Sequence, residues 1–441
     1  MHECGDEVPQ PRATPPSPAA DPAAWPIDPA VRRAPLTFRD VPIMPFTAHV
    51  TRGPTGMAFP QGGPLWPDWT GQTVARFCHA GRPVDLPPEP EPIEETIEEP
   101  IAWGGSICPH FGHQIADFST RLLPTLDHRP GADFAFGTWP RMNITVPTEA
   151  PGFFLEILAW CGISVDRVRI ITRPTLARDL LVAPQAEIRG VAGVSPRHLD
   201  MLDALTERHL GRPKRRGTVY VSRAGQAMRF AGEAEIERAL VRAGVTTIRP
   251  ESLPLREQLG TYAAADRLLF AEGSALHGLQ LLGRGIGEVH VLRRRPAATF
   301  DLDLSFLEPR ARRVVVHRYR PTTLRIHGPT GRVRYGKAMT VLDEGRLLAG
   351  FDELGIPLRR HWSSPRYRAA CESDLRQWLG LNCTPEQLSI PGSAESIRTA
   401  LDASGFGELR SVVDSIAHPA PTSAPPSPGF WKRVGTWLRR S

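Results

Sequence analysis

The sequence predicts an α/β fold built on parallel, doubly wound sheets. Short apolar runs of strand length alternate with amphipathic helical patterns along most of residues 101–320, and this alternation favours parallel strands with helices on both faces. Two of the strand-like runs also end in polar residues. Because ligands of such sheets bind at the carboxyl ends of the strands, these polar residues are the first candidates for a functional site.

Length and charge limit the kinds of protein to consider. A chain of 441 residues is long enough for two or three domains with a substantial core. The net charge of +6 is spread along the sequence, which fits phosphate-bearing substrates and equally fits an arginine-rich surface. We expect no nucleic-acid partner, because the basic segment 211–217 (GRPKRRG) has no interleaved aromatic side chains to stack on bases.

The cysteines and apolar runs indicate a cytoplasmic protein. The six cysteines are scattered, without metal-ligand spacing, which argues against a zinc module or a disulfide framework. They are Cys4, Cys78, Cys108, Cys161, Cys371 and Cys383. The N-terminus lacks the apolar core of a signal peptide, and no run approaches the length of a membrane span.

Composition divides the chain into five parts. Residues 1–35 are Pro/Ala-rich and are expected to be disordered. Residues 36–210 are expected to form a first α/β domain, and residues 217–330 a second, Rossmann-like one. Residues 331–418 have a weaker, mixed pattern, and 419–441 contain a Pro-rich tether and a basic tail. The acidic segment 87–100 (PPEPEPIEETIEEP) is expected to be a solvated connector.

In the first half, the pattern predicts a turn at WGG (residues 103–105) and a helix from about Gly112. Ile115, Phe118 and the two leucines after Arg121 fall on one face of this helix. Further strands are expected at 134–137, 144–147, 168–173 and 176–184, and helices at 152–161 and 196–210.

The second half repeats the rhythm. Strands are expected at 218–223, 246–252, 266–272, 287–294 and 312–318, and helices at 232–244, 254–265 and 273–283. In residues 268–282 (LLFAEGSALHGLQLL) a strand, a turn of small residues and a helix follow one another. Small residues let a ligand approach the backbone closely, and the first amides of a helix favour an anion. Alternatively, Ser274 only caps the helix.

Three of these pieces, in this order, resemble the bacterial branch of glycosyltransferase family 61, which includes sequences similar to capsular polysaccharide biosynthesis proteins. The pieces are AWGGSICPHFGHQIADFSTRLLP, the strand ending in VYVSR, and LLFAEGSALHGLQLL. The resemblance covers roughly residues 95–295. It implies a GT-B-like pair of Rossmann-type domains facing a cleft, in which residues 36–210 lie on the acceptor side and residues 217–330 bind the donor. It also implies an inverting, metal-independent transferase site with a nucleotide-sugar donor and no cofactor.

The resemblance also implies roles for individual residues. His113 and Asp117 match the catalytic Gly-His helix and its acidic residue, and Arg223 matches the arginine after the strand serine. The donor loop is matched by five residues, namely Glu272, Gly273, Ser274, Ala275 and His277. One departure is Gly278, where related sequences usually have Asn, so a hydrogen bond to the donor is in doubt.

The chemistry of these residue types suits such a reaction. Inverting transfer needs a base for the acceptor hydroxyl and positive charge for the leaving diphosphate. His113 and Asp117 lie four apart, so they share one side of a helix, and either could be the base. Arg223 can grip phosphate oxygens in bidentate fashion. Glu272 either binds sugar or ribose hydroxyls or is a structural partner of a nearby amide.

Other readings of the same residues remain. His113 could pack at the helix start while Asp117 faces solvent, and Arg223 could be a surface arginine. Asp301 and Asp303 have the spacing of a divalent-ion site, although alternating Asp and apolar residues more often mark a solvated strand face. We therefore predict no metal site.

Three function classes follow from these readings. The first is an inverting glycosyltransferase that acts on a glycan, lipid-linked or protein hydroxyl acceptor. The second is a non-catalytic nucleotide- or carbohydrate-binding protein on the same scaffold. A P-loop or dinucleotide enzyme is disfavoured, because the sequence lacks GxxxxGK[ST] and GxGxxG.

The tail that begins at Gly429 and ends at Ser441 (GFWKRVGTWLRRS) suggests a membrane contact. In a helix its aromatic and apolar residues share one side and are bordered by cations. Such a segment suits the headgroup region of an anionic bilayer. We expect peripheral contact with the inner membrane face through this tail.

Overall fold

The computed structural model describes residues 34–52, 57–67, 75–79, 82–83, 85, 87–188, 193–295, 304–319, 322–328, 331 and 333–418. The predicted disordered N-terminus up to residue 33, Asp301, Asp303, and the tether and tail from residue 419 lie outside these residues.

The strands form two large sheets and two small hairpins. Their bounds are β1 (Leu36–Arg52), β2 (Met57–Pro64), β3 (Cys78–His79), β4 (Arg82–Pro83), β5 (Glu95–Ile97), β6 (Ile101–Ile107), β7 (Asp133–Thr138), β8 (Val168–Ile170), β9 (Thr175–Val182), β10 (Thr218–Val221), β11 (Thr246–Ile248), β12 (Arg267–Ala271), β13 (Ile286–Leu292), β14 (Ala311–His317), β15 (Thr322–His327) and β16 (Val333–Val341).

The α-helices include those predicted at 152–161, 196–210, 232–244 and 254–265, together with a C-terminal group. Their bounds are α1 (Phe111–His113), α2 (Leu122–His128), α3 (Gly152–Trp160), α4 (Pro196–Leu210), α5 (Glu233–Arg242), α6 (Leu255–Ala263), α7 (Glu344–Glu353), α8 (Ser364–Asn382), α9 (Pro385–Ser389), α10 (Ser393–Ala403) and α11 (Arg410–Ala417).

Short helices of other types connect these elements. A π-helix spans Gln114–Phe118, and 3-10 helices span Ser119–Arg121, Pro140–Met142, Pro147–Glu149, Val165–Arg167, Pro250–Ser252, Ser274–Leu281, Ser305–Leu307, Leu358–His361 and Gly407–Leu409.

The first sheet is mixed. Its order is β2-β1-β9-β6-β7-β8, with β5 also pairing with β9. The strands from β5 to β9 pair in parallel, as predicted, while β1 pairs antiparallel with both β2 and β9. Residues 95–97 pair with β9 and bury Ile97. The acidic segment 87–100 is therefore not a solvated connector throughout, since it contains this strand.

The second sheet is parallel throughout. Its order is β11-β10-β12-β13-β14, and every neighbouring pair is parallel. The carboxyl ends of β10, β12 and β13 therefore meet at one edge, which is the edge that the alternating pattern predicts for a ligand site. The α/β class with parallel sheets is thus confirmed.

One apolar cluster joins the two halves of the chain. It contains Phe154 and Leu202 from the first half and Leu259 and Leu279 from the second, all buried. The indole Nε1 of Trp160 also donates to the carbonyl of Leu281 at 3.0 Å. A second cluster packs α5 and the β15–β16 hairpin with α7, α8, α10 and α11.

Two local predictions are wrong for physical reasons. The WGG segment is a β-bulge inside β6, where Gly105 has φ +99° and a Cβ on Gly104 would lie 2.3 Å from the Phe136 ring. Residues 144–147 are not a strand. Glu149 Oε2 accepts from the amides of Thr145 and Val146 at 2.8 and 3.3 Å, so these amides cannot pair with a neighbouring strand. These contacts also cap the 3-10 helix Pro147–Glu149.

Candidate functional site

The carboxyl ends of three parallel strands supply the base of the candidate site. Ser222 and Arg223 follow β10, Glu272 and Gly273 follow β12, and Arg293, Arg294 and Arg295 follow β13. Because β12 lies between the other two strands, the segment after β12 neighbours both of the others.

Arg223 is held against the turn that follows β12. Arg223 is 9% exposed, and its Nε donates to the carbonyl of Met228 at 2.8 Å. A Cβ placed on Gly273 would lie 2.1 Å from Nη1 of Arg223. The guanidinium therefore occupies the space that any side chain at position 273 would need, and its burial lowers the pKa of Arg223.

A buried carboxylate fixes the backbone that carries Arg223. Glu233 Oε1 accepts from the hydroxyl of Tyr220 at 2.8 Å, from Ser222 Oγ at 3.1 Å and from the amide of Arg223 at 2.8 Å. Glu233 is fully buried, and burial raises its pKa. This network orders the end of β10 and thereby sets the direction in which Arg223 leaves the strand.

Glu272 lies beneath the site as a structural partner. It is fully buried, and its Oε2 accepts from the amides of Arg294 and Arg295 at 2.7 and 3.0 Å. Its Oε1 accepts from Nε of Arg295 at 2.7 Å. Burial alone would raise the pKa of Glu272, but Arg295 and the amide donors outweigh it, and the net pKa is lowered. Of its two predicted roles, these contacts favour the structural one.

Arg294 is a site residue that sequence reasoning missed. It is 3% exposed, and its buried Nη1 has no hydrogen-bond partner among the residues that the structure describes. Burial and the positive charge of Arg223 lower the pKa of Arg294 to about 10. A buried guanidinium nitrogen without a partner, beside a second arginine, favours an anionic ligand. The signal was available, since Arg294 is the last residue of a predicted strand, as Arg223 is.

The turn after Gly273 leads into a 3-10 helix and not an α-helix. Leu276 and Leu279 are buried in the helix Ser274–Leu281, and Leu282 is buried at its C-cap. Their spacing of exactly three residues places all of them on one side of a helix with three residues per turn. Ser274 and Ala275 are half-buried, so this turn keeps part of its surface at the site.

The helix that carries His113 packs directly on this turn. A Cβ on Gly112 would lie 2.9 Å from Cδ2 of His277 and 3.0 Å from Cβ of Ser274. Only glycine allows so close an approach. The helix then continues as the π-helix Gln114–Phe118, in which fully buried Gln114 accepts from the amide of Cys108 at 2.8 Å.

His113 and Asp117 form the predicted pair. His113 Nδ1 lies 2.7 Å from Asp117 Oδ2. The imidazole is 45% exposed while the carboxylate is 5% exposed, so the pair presents its histidine to solvent and its aspartate to the protein. The alternative in which Asp117 faces solvent is therefore wrong.

His110 is a second residue that the sequence did not single out. It precedes α1, and its Nδ1 accepts from the amide of His113 at 3.3 Å. Desolvation by the surrounding protein, together with the nearby His113, His277 and Arg223, lowers the pKa of His110 to about 4. It is therefore neutral near pH 7, although its ring lies at the exposed rim.

His277 and Gly278 complete the wall formed by the 3-10 helix. His277 Nδ1 lies 2.8 Å from Gln280 Oε1, and its ring stacks on Phe306 at 5.4 Å. A Cβ on Gly278 would lie 3.3 Å from Nε2 of Gln258. An Asn at position 278 would therefore need this side chain to shift by a few tenths of an ångström.

Among the residues that the structure describes, no three His, Cys, Asp or Glu side chains are grouped so that they could hold a metal ion. Asp301 and Asp303 are not among these residues. No helix in the described part of the chain is long and apolar enough to cross a membrane.

Comparison with family models finds a match over the part of the chain that carries most of this site. Residues 111–286 match the family model described as Glycosyltransferase 61. This span contains all eight residues predicted for the site, while His110 and Arg294 lie just outside it. No curated protein matches the chain.

Proposed function

We propose, from the premise that this chain contains a glycosyltransferase family 61 domain, that it transfers a sugar from a nucleotide-sugar donor to a glycan, lipid-linked or protein hydroxyl acceptor. The transfer is proposed to invert the anomeric centre and to need no metal ion. The single observation that carries this proposal is the convergence of the His113–Asp117 pair and the arginines on the turn after Gly273.

Arg223 and Arg294 are proposed to hold the diphosphate of the donor. Both guanidinium groups are buried beside each other at the end of a parallel sheet. As the bond from the anomeric carbon to the diphosphate breaks, negative charge develops on the leaving oxygen. Two preorganised cations stabilise that charge without needing to reorganise.

His113 is proposed as the base, with Asp117 as the residue that fixes its tautomer. If Nδ1 of His113 donates to Asp117 Oδ2, Nε2 is the nitrogen that accepts a proton. The acceptor hydroxyl gives its proton to Nε2, and its oxygen bonds to the anomeric carbon. The diphosphate then leaves from the opposite face with the bonding electron pair.

A panel of nucleotide sugars tests this proposal. We expect the purified full chain to release a nucleoside diphosphate from at least one donor, by transfer or by slow hydrolysis, and to do so in EDTA. Binding of donors without any turnover would instead support the non-catalytic binding protein. Loss of turnover in EDTA with rescue by manganese would contradict metal independence. It would also favour Asp301 and Asp303 as the residues that bind the ion.

The second arm of the same experiment uses calorimetry with nucleoside diphosphates. Arg223→Ala is expected to weaken binding by about 1.5–3 kcal/mol, which is typical of a lost charge-assisted contact. Arg242→Ala is the matched control, because it removes the same charge from an exposed residue at the end of α5.

A further inference from the structure

His110 lies beside the turn after Gly273, although it is outside the span that matches the family model. A Cβ on Gly112 would lie 3.3 Å from Cε1 of His110. The same Cβ would lie 2.9 Å from Cδ2 of His277 and 3.0 Å from Cβ of Ser274. The three side chains therefore surround one point on the backbone. The ring of His110 thus borders the turn on which the donor diphosphate is proposed to bind.

A hydrogen bond to the backbone fixes the orientation of this ring. Nδ1 of His110 accepts from the amide of His113 at 3.3 Å, and the two imidazole rings lie 4.8 Å apart between centroids. His110 makes no other side-chain hydrogen bond to the residues that the structure describes. Since the residue is also exposed, its Nε2 is accessible to a ligand.

The same hydrogen bond decides which nitrogen of His110 carries the proton. Because Nδ1 accepts, it holds a lone pair, so the proton of the neutral ring is on Nε2. A second proton on Nδ1 would break the hydrogen bond to His113. Desolvation and the nearby His113, His277 and Arg223 lower the pKa of His110 to about 4, and the opposite effect of Asp117 is outweighed. At pH 7 the ring therefore presents an Nε2–H donor.

The charges around His110 suit an anion. Arg223 and His277 both act on its ring, and Arg223 lies against the turn after Gly273. Asp117 also acts on the ring, but its carboxylate contacts His113 at 2.7 Å. A ligand at Nε2 of His110 thus meets a hydrogen-bond donor beside cationic groups, which favours phosphate oxygens.

We propose that Nε2–H of His110 donates a hydrogen bond to a phosphate oxygen of the nucleotide-sugar donor. The proposal rests on the function proposed above, and it adds a residue that the matched family domain does not contain. As the bond between the sugar and the diphosphate breaks, negative charge grows on the phosphate oxygens, so this hydrogen bond strengthens in the transition state. The proton stays on Nε2, and the ring forms and breaks no covalent bond.

A purely structural role is the competing explanation for His110. The residue precedes α1, and its Nδ1 caps an amide of that helix. Capping uses Nδ1, whereas the proposed contact uses Nε2, so two substitutions separate the two roles. Asn keeps a polar atom near Nδ1 and is a favoured N-cap residue, but it has no group at the position of Nε2. Gln is long enough to place its amide N–H near that position, but it gives up the cap.

Calorimetry on the full chain at pH 7.5 tests the proposal, with uridine, guanosine, cytidine, adenosine and thymidine diphosphates as probes. We expect His110→Asn to weaken the probe that binds by roughly ten-fold, as for one lost hydrogen bond to a charged group. His110→Gln should weaken it by about three-fold or less, because its amide N–H replaces Nε2–H. His128→Asn is the matched control, because it changes an exposed histidine at the end of α2, and it should bind as wild type does.

Urea unfolding of the same variants shows whether capping is involved. His110→Asn should keep the wild-type unfolding midpoint, because it keeps the cap. A loss of affinity accompanied by a lower midpoint in His110→Asn would show a structural role and would overturn the proposal.

Two further outcomes overturn the proposal. One is the opposite order, with tight binding in His110→Asn and weak binding in His110→Gln, and the other is equal affinity in wild type and both variants. In each of these cases wild type still binds a nucleoside diphosphate, so the proposed transferase function stands. If wild type bound none of the probes, the proposed donor site and this contact would both be wrong.

Discussion

The guanidinium of Arg223 lies in the space above Gly273, where a Cβ would be only 2.1 Å from Nη1. Gly273 itself has an extended backbone with φ 178°, which any residue can adopt. The glycine is therefore required by the position of Arg223 and not by backbone strain.

Gly273→Ala should separate binding from stability. The added methyl group displaces a flexible arginine side chain and not the backbone, so the free energy of unfolding should change by about 1 kcal/mol or less. Nucleoside-diphosphate affinity should fall roughly ten-fold or more, because Arg223 loses its position. Calorimetry and urea unfolding measure the two effects.

Gly152→Ala is the control for this substitution, since a Cβ at position 152 meets no atom within 4 Å. If Gly273→Ala bound the nucleotide as tightly as wild type, Arg223 would not be a donor contact.

Arg294→Met should move stability and binding in opposite directions. Methionine keeps much of the apolar stem but removes a buried charge whose Nη1 has no partner in the described structure. The thermal midpoint should stay constant or rise, because burial of the guanidinium is unfavourable, as the lowered pKa of Arg294 indicates. Nucleoside-diphosphate binding should weaken by about 1.5–3 kcal/mol. If Arg294→Met bound the nucleoside diphosphate as tightly as wild type, Arg294 would not be a donor contact.

The paired histidines of β13 and β14 should make stability fall at acidic pH. His290 Nδ1 lies 2.8 Å from His317 Nε2. Burial and His290 lower the pKa of His317 to about 4, and burial also lowers the pKa of His290. Below about pH 6.5 the unfolded chain binds protons that the folded chain does not. Stability is therefore full above pH 6.5 and is lost as pH falls towards 4.

Urea unfolding at pH 7.5, 6 and 5 measures this loss. His317→Gln keeps a hydrogen-bonding side chain but cannot titrate, so its unfolding midpoint should fall less over the same range. The same pH dependence in wild type and His317→Gln would exclude the pair as the cause.

The C-terminal tail remains a sequence-based prediction, because residues 419–441 lie outside the described structure. The full chain should co-sediment with anionic vesicles at low salt and be released as salt screens the charges. A chain truncated after His418 should stay in the supernatant and retain donor turnover. Equal sedimentation of the two proteins would exclude the tail as an anchor.

Regular elements were predictable where local signals agreed. Helix α4 was expected at residues 196–210 and has these bounds, because Ser195 caps it, Pro196 begins it and Gly211 follows it. The contact between His113 and Asp117 also followed from their spacing of four residues.

Features that depend on tertiary contacts were not predictable. Glycines 104 and 105 indicate a turn locally, but pairing of β6 with β7 makes them a bulge. The burial of Arg294 and its unpaired Nη1 depend on how distant segments of the described structure pack. Glu272 was predicted as a site residue, but its structural role depends on a tertiary contact. The amides of Arg294 and Arg295, which follow β13, donate to its carboxylate.

The proposed transfer step requires His113 and Asp117 to act together. The most direct measurement is the turnover of an accepted nucleotide sugar, at saturating donor, by His113→Ala and Asp117→Asn. We predict a decrease of roughly 10²-fold or more in each variant with nearly unchanged donor binding, as expected for loss of a base or of the residue that orients it. Turnover near the wild-type rate in both variants would contradict the catalytic assignment of this pair.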